Sequence, residues 1–208
     1  MLTNIAKLSC IICLLLFLFA SETSSQTGDK GNTQNTKTST KTPYIFPTAK
    51  QRFLRYLNDS VGIGAAVGTV IGATFSQIDN QPPEWKKNSS GFARRLGSNF
   101  GENAIEQATL YGLSEVFRQD QEYRKCGCTK VPNRIGHALR SGVTARDRSG
   151  QLVFSTPKVV SPFVANVAAV KLWYPGRFSA QDGLRRGAYG VVFNVAFNLV
   201  EEFIFKKK

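Results

Sequence analysis

The residues best suited to chemistry are two cysteines separated by one glycine, Cys126 and Cys128. In an oxidising compartment such a pair can form a disulfide, and so short a ring is strained and readily reduced. Neighbouring basic residues would lower the pKa of the thiols. Two interpretations follow: a thiol-redox site, or loop cysteines without a catalytic task. The missing thioredoxin-like βαβ pattern favours the second.

The sequence predicts no metal site, no cofactor and no catalytic residue. His137 is the only histidine in the chain, and helical projection places it away from the apolar face of its helix, where a solvated side chain is expected. A metal site needs more ligands than this. The G-x-S-x-G nucleophile elbow is also absent.

Glu115 is expected to form a buried ion pair. It projects onto a helix face that otherwise carries small residues, and an unpaired carboxylate buried there would be expensive. An arginine partner is therefore predicted, and the candidates are Arg134, Arg140, Arg185 and Arg186.

Glycines recur at four-residue spacing in GIGAAVGTVIGA, residues 62–73. Each costs up to ~1 kcal/mol relative to alanine inside a helix, so close packing must compensate. Neither the dinucleotide nor the Walker signature is present. We expect Gly64, Gly68 and Gly72 to form a groove in which a second helix packs main chain to main chain. On that account Gly68→Leu destabilises the domain severely. The stretch resembles the glycine-zipper segments of bacterial envelope proteins.

The elements that must position these residues are helices. Small residues, including Gly97, Gly101 and Gly187, also share faces in two later helices, so the predicted fold is an all-α bundle of five or six helices packed through Gly/Ala-rich faces. Capping boxes are predicted at Thr48 and Ser179. The helices are expected at about 48–57, 61–78, 91–120, from 132, at 162–174 and at 179–205, with a short extended piece at 152–155.

Three segments are predicted along the chain. Residues 1–20 carry a lysine and a short apolar run, and a small polar stretch follows them, which is typical of a secretory signal peptide. Residues 21–46 are rich in Ser, Thr and Lys and lack the apolar surface needed for ordering, so a disordered linker is expected. Residues 47–208 form a single helical domain of ordinary size.

The net charge of +13 bears on partners and localisation. An exported basic protein meets a membrane surface or an anionic envelope polymer more often than DNA, and specific nucleic-acid binding is not expected. The uncharged run 60–78 is just long enough to span a bilayer, although its Gly, Ala and Thr residues contribute little to insertion. Peripheral and integral association therefore both stay open, as does a homo-oligomer.

From residue 82 to 203 the chain resembles a family of uncharacterised, exported bacterial proteins. The matching elements are PPEW (82–85), GFARRLGSNFGENAIEQ (91–107), YGLSEVFRQDQEYR (111–124), RIGHALRSG (134–142), LWYPG (172–176), GLRRGAYG (183–190) and NLVEEF (198–203). RQDQEYR departs from the family's acidic-Asp-Pro-Arg-Tyr element, and the CGC insertion is atypical. The resemblance implies export and residence in the cell envelope, and it implies no activity.

The function predicted from these features is a structural or interaction role at a membrane or cell-wall surface, in the periplasm or cell envelope. The alternative is an enzyme, in particular a thiol-redox protein that uses Cys126 and Cys128.

Overall fold

The computed structural model describes residues 44–204, and these residues are mostly helical, as an all-α fold requires. Six α-helices lie in this range. They are α1 (Ala49–Val61), α2 (Ile63–Ile78), α3 (Ser89–Phe117), α4 (Val131–Ser141), α5 (Thr156–Leu172) and α6 (Ala180–Phe203). The expected signal peptide and all but the last three residues of the expected linker lie outside the described residues.

The capping boxes predicted at Thr48 and Ser179 are confirmed. The Thr48 side chain accepts a hydrogen bond from the Gln51 N–H, and the side-chain oxygens of Gln51 and Asp182 accept hydrogen bonds from the N–H groups of Thr48 and Ser179. α5 differs from the prediction. It begins at Thr156 behind the N-cap Ser155, and Pro162 lies inside the helix. The Ser-Thr-Pro sequence at 155–157 offers the same start signal one and a half turns earlier.

The most extensive contacts between helices are those of α5 with α6 and with α3. α3 contacts α1, α2 and α5, and α6 contacts α4 and α5. α1 and α2 are separated only by Gly62, whose extended backbone interrupts the helical dihedrals. α3 ends at Phe117, because Arg118 adopts the left-handed conformation with φ 53°.

A small antiparallel hairpin lies between α4 and α5. β1 (Thr144–Arg146) pairs with β2 (Leu152–Phe154), and Arg146 also bridges to Asp120. A 3₁₀ turn, Pro83–Trp85, connects α2 to α3. The strand β2 falls where the sequence predicts an extended piece.

The folded domain begins before the predicted boundary at residue 47. The Tyr44 hydroxyl donates to Asp120 Oδ2 at 2.9 Å, and its ring packs against Gly150, which has a φ of 82° and leaves no room for a Cβ. The Arg52 guanidinium lies 4.9 Å from the centre of the Phe46 ring. These aromatic contacts place residues 44–46 on the domain.

Candidate functional site

The described part of the chain buries small and polar side chains and exposes large apolar ones. Its buried hydrophobic residues are Ala73, Trp85, Ala138, Ala145, Ala165, Ala169 and Val170. The side chains of Arg95, Asp120 and Glu202 are instead among the largest that are fully buried. Buried polar groups and exposed apolar patches are the informative departures from ordinary burial, and both occur here.

One exposed apolar surface runs along α2. Ile63 is 85% exposed, and Val67, Ile71, Phe75 and Ile78 are also exposed. Together α1 and α2 give a 30-residue stretch, Ala49–Ile78, whose most apolar 18-residue window has a mean hydropathy of 1.5 and is only 11% buried. By length and composition, this stretch is the single candidate for a membrane span between residues 44 and 204, and Gly62 interrupts it.

A second exposed apolar surface lies on the outer side of α6, where Leu184, Tyr189, Val192, Phe193 and Phe197 are all exposed. The opposite side of α6 faces α5 at short range. A Cβ placed at Gly187 would lie 2.7 Å from the Phe163 Cα, and one at Gly183 would lie 2.8 Å from the Val167 Cα. The two main chains therefore approach closely where α6 has glycines.

Within residues 44–204, no helix lies in the glycine groove predicted on α2. No atom of these described residues lies within 4 Å of a Cβ built at Gly64, Gly68 or Gly97. α2 instead buries Thr69 and Ala73, which follow Gly68 and Gly72 by one residue each. The packing prediction is therefore wrong within the described chain at these three positions.

The other predicted glycines do have close neighbours. A Cβ at Gly72 would lie 2.5 Å from Asn99 Oδ1, and one at Gly101 would lie 3.3 Å from the Trp173 ring. Both contacts are with side chains of facing elements. Only Gly187, among the predicted positions, meets the main chain of a neighbouring helix.

Aromatic and basic residues gather where the α2–α3 and α5–α6 connections meet. The rings of Trp85 and Tyr174 lie 5.3 Å apart, Tyr174 and Phe178 are also 5.3 Å apart, and Glu84 pairs with Arg177. The basic residues of this region are Lys86, Lys87, Arg94, Lys171, Arg177, Arg185 and Arg186, and its acidic ones are Asp79, Glu84 and Asp182. We call this region the basic aromatic end.

Arg95 holds the α2–α3 connection together. Its side chain is fully buried, and its three nitrogens donate to the carbonyl oxygens of Gln81, Pro82 and Lys86 and to the side-chain oxygens of Gln77 and Asn80. These contacts use all five N–H donors of the guanidinium. The connection is therefore fixed by one cation bound to neutral oxygens, and burial lowers its pKa.

A polar seam runs between α3 and α6. Asn194 Nδ2 donates to Glu106 Oε1 at 2.9 Å, and Glu102 Oε1 accepts hydrogen bonds from Ser98 and Tyr174 at 2.8 and 3.0 Å. Burial raises the pKa of both carboxyl groups above the ordinary value of 4.5. Glu102 and Glu106 lie on one face of α3. Their partners Tyr174 and Asn194 come from distant parts of the sequence, whereas Ser98 lies one turn before Glu102.

Cys126 and Cys128 form a disulfide beside the C-terminal part of α6. The Cys126 N–H donates to Glu202 Oε2 at 3.1 Å, the Tyr123 hydroxyl donates to the same oxygen at 2.6 Å, and Arg134 Nε donates to Oε1 at 2.7 Å. Burial would raise the pKa of Glu202, but these hydrogen bonds and the arginine charge lower it overall. The carboxylate thus anchors the cysteine loop to α6.

Glu115 is paired, although not with any of the predicted arginines. Its partner is Arg52 on α1, and the Glu115 side chain is 34% exposed. Arg134 instead binds Glu202, Arg185 binds Asp182, and Arg186 donates to the Tyr174 hydroxyl. The prediction failed because it did not place α1 against α3, which is where Arg52 approaches.

Asp120 is a buried carboxylate that the sequence reasoning missed. Arg55 Nη1 donates to its Oδ1 at 2.7 Å, and Tyr44 donates to Oδ2. Burial would raise its pKa, but hydrogen bonds from Tyr44, the Glu122 backbone and Arg55 lower it overall. Residues 44 and 55 are far from 120 in sequence, so no local pattern indicates this cluster. Among the described residues, no group of three His, Cys, Asp or Glu side chains could hold a metal ion.

A scan against protein-family models and searches of the curated proteins and of the solved structures return no match to this chain. The family resemblance, and the export that it implies, therefore stay predictions.

Proposed function

We propose that this protein is a membrane-associated helical protein of the cell envelope with a structural or interaction role. The observation that carries the proposal is the exposed apolar surface of α2, which lies within the 18-residue apolar window that is only 11% buried. Contiguous apolar surfaces of this kind mark sites of interaction with proteins or membranes. We assign this one to contact with lipid.

Two further features support lipid as the contact. The exposed apolar side of α6 adds a second surface that water solvates poorly. The basic aromatic end combines Trp and Tyr side chains with lysines and arginines, which is the composition found at membrane–water interfaces. Anionic headgroups would neutralise its charge while the apolar helices contact the acyl chains.

The proposal extends to how the helices are held together. We infer a bundle in which close approach of α5 and α6 at Gly183 and Gly187 supplies dispersion contacts, as small residues do between helices in membranes. The buried polar groups of Arg95, Asp120 and Glu202 then fix the loops. Residence in the envelope is inferred from the segment 1–20, which lies outside the described residues.

Fractionation of the full-length protein tests the proposal. We expect the protein to stay with membranes through high-salt and carbonate washes and to be released by detergent, because apolar contacts are insensitive to salt. Release by salt alone would instead indicate attachment through the basic surface. A protein found in the soluble fraction throughout would contradict membrane association.

Substitution of the α2 surface gives a sharper test. We expect Ile71→Glu with Phe75→Glu to abolish flotation with phosphatidylglycerol vesicles, since burying each apolar side chain contributes about 1.5–3 kcal/mol. The control is Val131→Glu on α4, an exposed apolar residue away from the proposed contact. Flotation of the α2 variant to the same extent as the control would show that α2 does not contact lipid. If the α2 substitutions instead dissociated a dimer, a second copy rather than lipid would cover α2.

The thiol-redox alternative stays a prediction. The disulfide between Cys126 and Cys128 is compatible with a redox role and with a purely structural one. Insulin reduction by the reduced protein separates the two, because only a redox protein gives sustained turnover.

A further inference from the structure

A cavity of about 440 Å³ opens at the basic aromatic end. Its lining residues are Trp85, Arg94, Gly97, Ser98, Gly101 and Trp173. This volume lies within the range of about 300–1,000 Å³ that is usual for small-molecule sites. The two glycines come from one side of α3, and at Gly97 no atom lies within 4 Å of a Cβ position, so the floor of the cavity is clear.

Hydrogen bonds and ring contacts within the protein hold the walls of the cavity in place. Trp173 Nε1 donates to Ser98 Oγ at 2.8 Å, and Ser98 Oγ in turn donates to Glu102 at 2.8 Å. The Trp85 ring packs on Tyr174 at 5.3 Å. Both indole rings are thus fixed before any ligand arrives, which lowers the entropy cost of binding.

The polar side chains that line the cavity favour a ligand with a single negative charge. Ser98 already has hydrogen-bond partners, in Trp173 and Glu102. Arg94 is exposed and makes no hydrogen bond or ion pair with any residue from 44 to 204. A saccharide needs several polar partners, whereas this site offers one free guanidinium beside two apolar rings. An amphiphile with one negative charge matches that arrangement.

We propose that this cavity binds an anionic lipid, with the headgroup on Arg94 and the first acyl carbons between Trp85 and Trp173. The guanidinium is suited to a phosphate or carboxylate oxygen pair, and the indoles bury apolar surface. The choice of a lipid rests on the proposed function. The site would give the protein a preference for acidic membranes beyond that of its net charge.

The tryptophans report directly on the cavity, because Trp85 and Trp173 are the only two in the chain. The full-length protein in nonionic detergent micelles is titrated with phosphatidylglycerol or phosphatidylcholine whose acyl chains carry bromine near the glycerol. Bromine quenches an indole only at contact distance. We expect stronger quenching by the phosphatidylglycerol, saturating at a lower lipid fraction.

Two pairs of variants locate the site. Gly97→Leu puts a side chain into the cavity and is expected to remove the preference for phosphatidylglycerol. Its control is Gly112→Leu, on the same helix with no atom within 4 Å of the Cβ position. Arg94→Gln should raise the half-saturating lipid fraction about ten-fold, as expected for losing a charged contact. Its control, Arg140→Gln, removes the same charge from exposed surface on α4.

Three results would overturn the assignment. They are equal quenching by the two lipids, an unchanged preference in Gly97→Leu, and equal effects of Arg94→Gln and Arg140→Gln. Displacement of the brominated lipid by millimolar inorganic phosphate alone would reduce the cavity to an anion site. Because the assay uses micelles, it is independent of vesicle flotation. A protein that fails to float can still bind lipid here, and one that floats can fail to do so.

Discussion

Arg52 on α1 binds both carboxylate oxygens of Glu115 on α3, with Nε 2.6 Å from Oε1 and Nη2 2.7 Å from Oε2. This two-point contact joins the first helix of the domain to its longest one and lowers the pKa of Glu115, chiefly through the hydrogen bond from Arg52. The Arg52 side chain is 17% exposed, so the pair lies at the edge of the interface rather than inside it.

The first prediction concerns this pair. Glu115→Gln is expected to destabilise the domain by about 1 kcal/mol, the upper range for a partly exposed ion pair, and so to lower the Tm by about 2–4 °C. Thermal unfolding followed by far-UV circular dichroism measures the change. Asp79→Asn is the control, because Asp79 is exposed. An unchanged Tm in Glu115→Gln would show that α1 docks without this contact.

The second prediction concerns acid pH and Asp120. The folded-state pKa of Asp120 lies below its ordinary value of 3.8, so the stabilisation is present above pH ~4 and is lost as the pH falls through the folded-state pKa. We expect Asp120→Asn to lower the Tm at pH 7 and this deficit to shrink towards pH 2. Tyr44→Phe, which removes one hydrogen bond to the carboxylate, should give a smaller deficit with the same pH dependence.

The pH dependence of stability expected for Glu102 is opposite to that expected for Asp120. Burial raises its pKa above 4.5, so the ionised carboxylate weakens the fold as the pH rises past that value. Glu102→Gln should therefore compare more favourably with the native protein at pH 7 than at pH 4. Parallel pH profiles for the Asp120 and Glu102 variants would contradict both assignments.

The third prediction concerns Arg95. Lysine has three donors at one nitrogen and cannot reproduce the five N–H contacts of a guanidinium. We expect Arg95→Lys to cost about 3–5 kcal/mol, because several buried carbonyl oxygens lose their charged donor. The matched control is the adjacent, exposed Arg94→Lys, which should leave stability unchanged. Urea unfolding followed by tryptophan emission reads the difference, since Trp85 lies in the connection that Arg95 holds. Equal midpoints for the two variants would refute the role of Arg95.

Local signals predicted the helices better than the contacts between them. The capping residues Thr48 and Ser179 act within one turn, so the sequence suffices to place them. The start of α5 was misplaced because Ser161-Pro162 and the Ser-Thr-Pro sequence at 155–157 are both start signals, and the helix begins at the earlier one. The Glu115 partner and the Asp120 cluster depend on α1 and residue 44 returning to α3, which no periodicity in a single sequence encodes.

The packing prediction for the glycines was wrong for the same reason. Spacing alone cannot tell a stripe that packs from one that faces outward, because both give the same helical projection. Gly68 and Gly187 belong to similar patterns, yet a Cβ meets nothing within 4 Å at Gly68 and lies 2.7 Å from the Phe163 Cα at Gly187. Only the path of α5 past α6 separates the two cases.

The fourth prediction compares Gly68 with Gly187. It replaces the expectation that a side chain added at position 68, as in Gly68→Leu, destabilises the domain. Gly68→Ala should raise stability by up to ~1 kcal/mol, because alanine is the better helix former and the added methyl group meets no atom. Gly187→Ala should lower stability by about 1–3 kcal/mol, since the main chains of α5 and α6 must move apart. The two substitutions are chemically identical, so each is the control for the other in thermal unfolding. A large loss of stability in Gly68→Ala, measured on the monomer, would mean that another part of the protein covers α2. The exposed face on which the membrane proposal rests would then not exist.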